Sequence, residues 1–321
     1  MNLNLLLDNL TNPALLFFIL GILSVRLKSD LEIPANSSKF ISLYLMFAIG
    51  FNGGRELAHS HFSMEIIWAV VFGIMTAILI PFYTFFILKK KFSIENSGAI
   101  AATYGSISAV TFVTAVSFLE IQQITFSGHM VAIMALMEAP AIVVGVVLIR
   151  LYSQKEATSP KMKEVITHSF TNGSVLMILG SLIIGFIASE QQAQGISPFT
   201  EDIFKGFLAI FLLDMGITSG KKLGAFFKSG WITPVFAVFI PLINGIMVAW
   251  LSGFVTTEIG DRFMLSVLAA SASYIAVPAA MKMAVPKANP GLFLPMALAV
   301  TFPFNITFGM PIYMLVIMML Q

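Results

Sequence analysis

The chain has 321 residues, 58% of them hydrophobic and 11% charged, with a mean hydropathy of +0.92 and a formal charge of +2. Soluble domains carry about 25% charged residues, so this composition belongs in lipid, and its dispersed basic residues leave no footprint for nucleic acid. Cysteine is absent and the four histidines never take the H-E-x-x-H spacing, which excludes disulfides, thiolate metal sites and a zincin-type cage.

A membrane-spanning helix takes about 20 predominantly apolar residues. In chain order the sequence predicts ten: 13–27, 37–54, 65–88, 96–118, 125–151, 171–189, 201–219, 229–255, 262–284 and 290–320. The first residues lack a basic stretch, so no cleavable leader is expected. On ten spans, 15 of the 18 Lys and Arg fall at one side, including Lys89, Lys90, Lys91, Lys155, Lys161, Lys163, Lys221, Lys222 and Lys228. Arg55, Lys205 and Arg262 take the other. The positive-inside rule then places the Lys-rich connections in the cytoplasm and both termini outside a plasma (inner) membrane.

The longest polar connection, 153–169, separates five spans in 1–152 from five in 170–321. An odd number per half inserts the second half upside down. The expected fold is therefore an all-α polytopic membrane protein, ten transmembrane helices built as a 5+5 inverted repeat. Echoes between the halves support this. Phe18-Ile19-Leu20-Gly21 matches Met177-Ile178-Leu179-Gly180. Gly50 through Arg55 matches Gly216 through Lys221, and Glu138-Ala139-Pro140 matches Thr301-Phe302-Pro303.

Spans 4 and 9 each carry a polar interruption: Gly105-Ser106-Ile107-Ser108 with Thr111, and Ser271-Ala272-Ser273 followed by Pro278. Unpaired backbone in hydrocarbon costs several kcal/mol per group, so such breaks survive where they line a cavity. Paired breaks at matching places in two halves point to a transporter binding site. Helix N-termini carry free N–H groups and about half a positive charge, and Ser106, Ser108, Thr111, Ser271 and Ser273 add hydroxyl donors for a small anion. Pro278 suits a first helical turn, where its missing N–H costs nothing. The competing reading is that small residues merely let helices approach closely. Glu138 and Asp214 are the acids deepest in the predicted spans, and a charge there is functional by default. Thr301, the repeat mate of Glu138, and Asn305 offer further oxygens for a cation, or simple interhelical hydrogen bonds. His59 and His61 read as a solvated loop, His129 as interfacial, and Trp68, Trp231 and Trp250 as interface anchors.

These motifs resemble the SbtA-type sodium-dependent bicarbonate permeases. The shared features are Gly105-x-x-Ser108-x-x-Thr111, the acidic-x-Pro of Glu138 and Pro140, and the run from Ala269 through Pro278 to Ala288-Asn289-Pro290. The resemblance implies a homotrimer that imports bicarbonate with sodium as the coupling ion, the substrate sitting where the two broken spans meet; Glu138, on the family's acidic-x-Pro, is the first candidate for coupling to sodium or protons. No other cofactor is implied. The family pattern differs at Ala109 and Val110 (Gly and Ser there), Tyr274 (an acid) and Val277 (Gly). Its best-known members bind a PII-like regulator and have a longer linker than this chain.

Carriage of another small organic anion with sodium or protons, or passive anion conduction, uses the same helix ends. No G-x-x-x-x-G-K-[ST] loop is present to bind ATP, and no G-x-S-x-G or mid-span histidine to support an intramembrane enzyme.

Overall fold

The computed structural model describes residues 11–59, 63–153, 162–226 and 230–320. His61, Lys228 and residues 154–161 of the expected linker, Lys155 and Lys161 among them, lie outside the described residues. Every regular element among them is helical: α1 (Pro13–Arg26), α2 (Ala35–His59), α3 (Met64–Leu88), α4 (Ile94–Gly105), α5 (Ala109–Ile121), α6 (His129–Tyr152), α7 (Met162–Phe170), α8 (Gly173–Ile187), α9 (Glu190–Ser197), α10 (Phe204–Phe226), α11 (Ile232–Leu251), α12 (Ile259–Ala270) and α13 (Ala276–Ala284). The last rod joins α14 (Pro290–Pro295), α15 (Phe302–Phe304) and α16 (Met310–Met319) through π-helical stretches at Met296–Thr301 and Asn305–Gly309.

Six helical segments among the described residues are long and apolar enough to cross a membrane, and α1 and α8 are shorter apolar helices. The remaining expected spans depart from that profile for visible reasons. Helix α2 has 25 residues but carries Lys39, Asn52, Arg55 and Glu56, and the 259–284 segment is broken into α12 and α13.

Local chemistry places the helix starts. Asn12 accepts the N–H of Ala14 at 3.0 Å, with Pro13 opening α1. Asn172 does the same for Ser174 at 2.9 Å before α8, and Asn289 for Gly291 at 2.9 Å ahead of Pro290. Each side chain satisfies a donor that the first helical turn leaves unpaired.

Helices α1, α2, α8 and α10 form one group: α1 packs along α10, and α8 along α2. Lipid supplies no hydrophobic drive between helices, so contact rests on close approach of small residues. Gly21 and Gly216 face each other at the α1–α10 crossing, where a Cβ on Gly216 would come within 3.1 Å of the Gly21 Cα and overlap the Phe18 carbonyl. Gly180, aligned with Gly21 in the sequence echo, instead faces open space, and Ser181 is the residue packed on Gly50. The echo is thus displaced by one residue in three dimensions. A second group holds α3 to α6 and α11 to α16, with α3 against α6 and α4, and α11 against α12 and α16.

Prolines inside these helices leave carbonyls without the usual amide, and side chains take their place. Pro241 cannot donate to Ala237, whose carbonyl instead accepts the Thr301 hydroxyl at 2.7 Å. In the π-helical stretch, the Leu298 carbonyl accepts from Ser219 at 2.9 Å.

Candidate functional site

Both polar interruptions are real breaks. Ser106, Ser108 and Ser271 have extended backbones between helical halves. The two gaps cross: the Ser273 N–H donates to the Thr103 carbonyl at 2.8 Å, and the Ser108 N–H to the Ser271 hydroxyl oxygen at 3.0 Å. Helix α12 therefore packs on α5, and α13 on α4. Gly105 allows the break to form against α3, because a Cβ there would strike the ring of Pro81, with Cγ at 2.6 Å.

The serines have separable roles. Ser108 caps α5 by accepting the Thr111 N–H at 3.2 Å, and Ser273 accepts the Val277 N–H at 3.4 Å at the start of α13. Each oxygen spends a lone pair on the backbone and keeps its O–H to donate. Ser271 is spent on both sides, since it also donates to the Leu268 carbonyl at 2.8 Å. The buried Ser106 hydroxyl has no partner among the described residues. Pro278 occupies the first turn of α13, as its chemistry suggests.

Ser108 and Ser273 line a cavity of about 20 Å³ together with Glu138, Tyr274, Met46 and Ser174. Glu138 is buried mid-helix in α6, and its Oε1 has no hydrogen-bond partner among the described residues. The tertiary structure thus brings Glu138 to the crossing. It keeps Thr301 out of the cavity wall, where that hydroxyl pairs with Tyr104 at 2.8 Å and holds the Ala237 carbonyl. Asn305 is likewise engaged, donating to Ala270 at 2.7 Å and accepting from Tyr313 at 2.9 Å. Asp214 accepts a short hydrogen bond from Ser38 and lines a different, larger cavity.

That larger cavity, about 820 Å³, opens between the two helix groups near Lys39 and Lys221 and reaches inward to Ser174, Tyr274 and Ile275. Those three residues also line the small cavity. A second large cavity of about 700 Å³ lies at the other end of α2, beside Arg55, Glu120, Glu201 and Lys205. One stripe of α2 serves all three: Ser42 in the first, Met46 in the small one and Ile49 in the second. At 3.6 residues per turn these positions share a face.

Broken helices that meet at a polar crossing recur in transporter folds. The family model for the Na+-dependent bicarbonate transporter superfamily matches residues 13–318. The chain belongs to that superfamily. Its membership makes it a transporter of the multi-pass membrane class, in keeping with the apolar helices. No curated protein matches it.

Several residues at this crossing escaped sequence reasoning. Tyr274 registered only as a departure from the family pattern, although it is the one aromatic residue between Ser271 and Pro278. Met46 and Ser174 carry no signal of their own. His129, expected at the interface, is buried and faces Asp261, whose Oδ2 lies 3.7 Å from its Nε2. His59 does sit on the exposed surface, 3.5 Å from Glu190. Trp68, Trp231 and Trp250 are all exposed, as lipid-interface anchors should be.

Proposed function

We propose that this transporter imports bicarbonate with sodium through a ten-span, 5+5 inverted repeat, binding the anion where the broken spans 4 and 9 cross. The observation that carries the reading is the single small cavity shared by Ser108, Ser273 and Glu138. Two hydroxyl donors and the positive ends of α5 and α13 suit an oxyanion without a fixed cation. A buried carboxylate without a partner is costly unless a positive ion or proton accompanies it. Glu138 is therefore the coupling group, its unpartnered Oε1 offering sodium a ligand beside the anion. Asp214, in the wall of the Lys-rich vestibule, receives the cation as it leaves the crossing. Ser106, Thr111 and Ser271 shape the backbone around the anion, together with Gly105 and Pro278.

The repeat is supported by contacts made twice. The Ser127 N–H, just before α6, donates to Asp261 of α12 at 2.6 Å. The Asn289 N–H, just before α14, donates to Asn96 of α4 at 2.8 Å. Each half also lays its first helix on the second helix of the other: α1 on α10, α8 on α2. In this reading the Lys-rich vestibule is cytoplasmic and both termini are outside. The protein assembles as a homotrimer, and any PII-like regulator docks on the cytoplasmic face.

The test is radiolabelled bicarbonate uptake into proteoliposomes with and without an inward sodium gradient. Saturable uptake that stalls without sodium supports the carrier. Uptake that rises linearly with bicarbonate and ignores sodium would instead identify a passive anion channel.

A further inference from the structure

We propose that Tyr274 is the inner door of the anion pocket and, once swung aside, a hydrogen-bond donor to the anion within it. The proposal deepens the reading of the crossing as an anion site and rests on it. Tyr274 stands in the gap between α12 and α13 and is 9% exposed. It lines both the 820 Å³ vestibule and the 20 Å³ pocket. Its hydroxyl lies close to that of Ser108 without reaching full hydrogen-bond geometry with any described residue. Buried hydroxyls are normally paired, so one left without a full bond in the lining of a polar pocket is available to a ligand.

Volume decides the gating role. A space of 20 Å³ holds about one water-sized probe, whereas a trigonal oxyanion has four heavy atoms. The anion cannot share the pocket with the ring in its present place. Rotating the phenol toward the vestibule joins the two spaces at the expense of its packing in the core, where the aromatic ring it meets is that of Phe302, edge-on at 6.2 Å between centroids. On the opposite side the lining changes along α2, from Met46 in the small pocket to Ile49 in the 700 Å³ vestibule. No residue lines both the small pocket and the 700 Å³ vestibule.

Chemistry decides the specificity role. With Ser108 and Ser273, the Tyr274 hydroxyl makes three neutral donors for the three oxygens of a small monovalent oxyanion. A neutral donor holds the anion without the permanent charge that would slow its release. A bulky carboxylate would not fit behind the ring.

The chain lacks cysteine, so Ala109→Cys places a single thiol in the wall of the small pocket. Its labelling by a small methanethiosulfonate in detergent-purified protein should run roughly tenfold faster with Tyr274→Ala and stay unchanged with Tyr274→Phe, because exchange then follows the population of open pocket. Equal rates in Ala109→Cys alone and with Tyr274→Ala would overturn the door. In uptake, Tyr274→Phe should raise the KM for bicarbonate roughly tenfold, the worth of one hydrogen bond to a charged group, and by more than it lowers the maximal rate. An unchanged KM would overturn the donor role. If wild-type protein moves no bicarbonate, the anion assignment fails while the labelling rates still judge the door.

Discussion

Ser273 donates its backbone N–H to the carbonyl of Thr103 at 2.8 Å, so the break in one half of the chain is pinned to the helix end preceding the break in the other. That bond satisfies a carbonyl at the C-terminal end of α4, which the end of a helix leaves without an internal partner. It also holds the N-termini of α5 and α13 near one cavity. Neither half can build the site alone.

Ser108 and Ser273 combine capping with ligand donation, so their removal should act on two readouts. Each change to alanine should lower stability by about 1 kcal/mol, the usual loss for a helix cap, visible as a small fall in melting temperature. The double variant should lose most bicarbonate uptake while remaining folded. Full uptake in the folded double variant would rule out the crossing as the anion site.

Glu138→Gln keeps shape and removes charge. We expect sodium stimulation of uptake to disappear, since the neutral amide no longer requires a compensating ion. Uptake measured across a sodium titration gives the answer, and an unaltered sodium dependence would place the cation elsewhere.

Thr301 behaves in this structure as a tie between α4 and α11 through Tyr104 and Ala237. Thr301→Val should leave both groups unsatisfied and cost about 1–3 kcal/mol, with the sodium affinity retained. A shift in sodium affinity without loss of melting temperature would return Thr301 to the ion site.

Gly105→Ala tests the geometry of the first break. The added methyl meets the Pro81 ring, and overpacking of this kind costs about 1–3 kcal/mol. Lower melting temperature together with weaker bicarbonate affinity is expected, because the gap and α3 cannot both keep their places.

Sidedness can be read with single cysteines. A thiol at Glu201, beside the Arg55 partner at 2.9 Å, should react with an impermeant reagent applied to intact cells, and one at Lys221 should not. The reverse pattern would invert the orientation proposed for both vestibules.

Much of this protein is legible from local composition. The helix positions, the two breaks with their serines and Gly105, and the segregation of lysines follow from apolar run length, capping chemistry and charge, all of which act over a few residues. Depth within a span is legible too, which is why Glu138 stood out. Direction is not: a helix turns about 100° per residue, so a one-residue displacement such as Gly180 against Ser181 redirects a side chain, and π-helical stretches in 290–320 shift the face further. Only the packed structure decided that Glu138 enters the pocket while Thr301 is spent on a proline-freed carbonyl. It alone paired Asp214 with Ser38, buried His129 against Asp261, and set Tyr274 between pocket and vestibule. Those outcomes depend on which faces of distant helices meet, and that is a property of the assembled bundle.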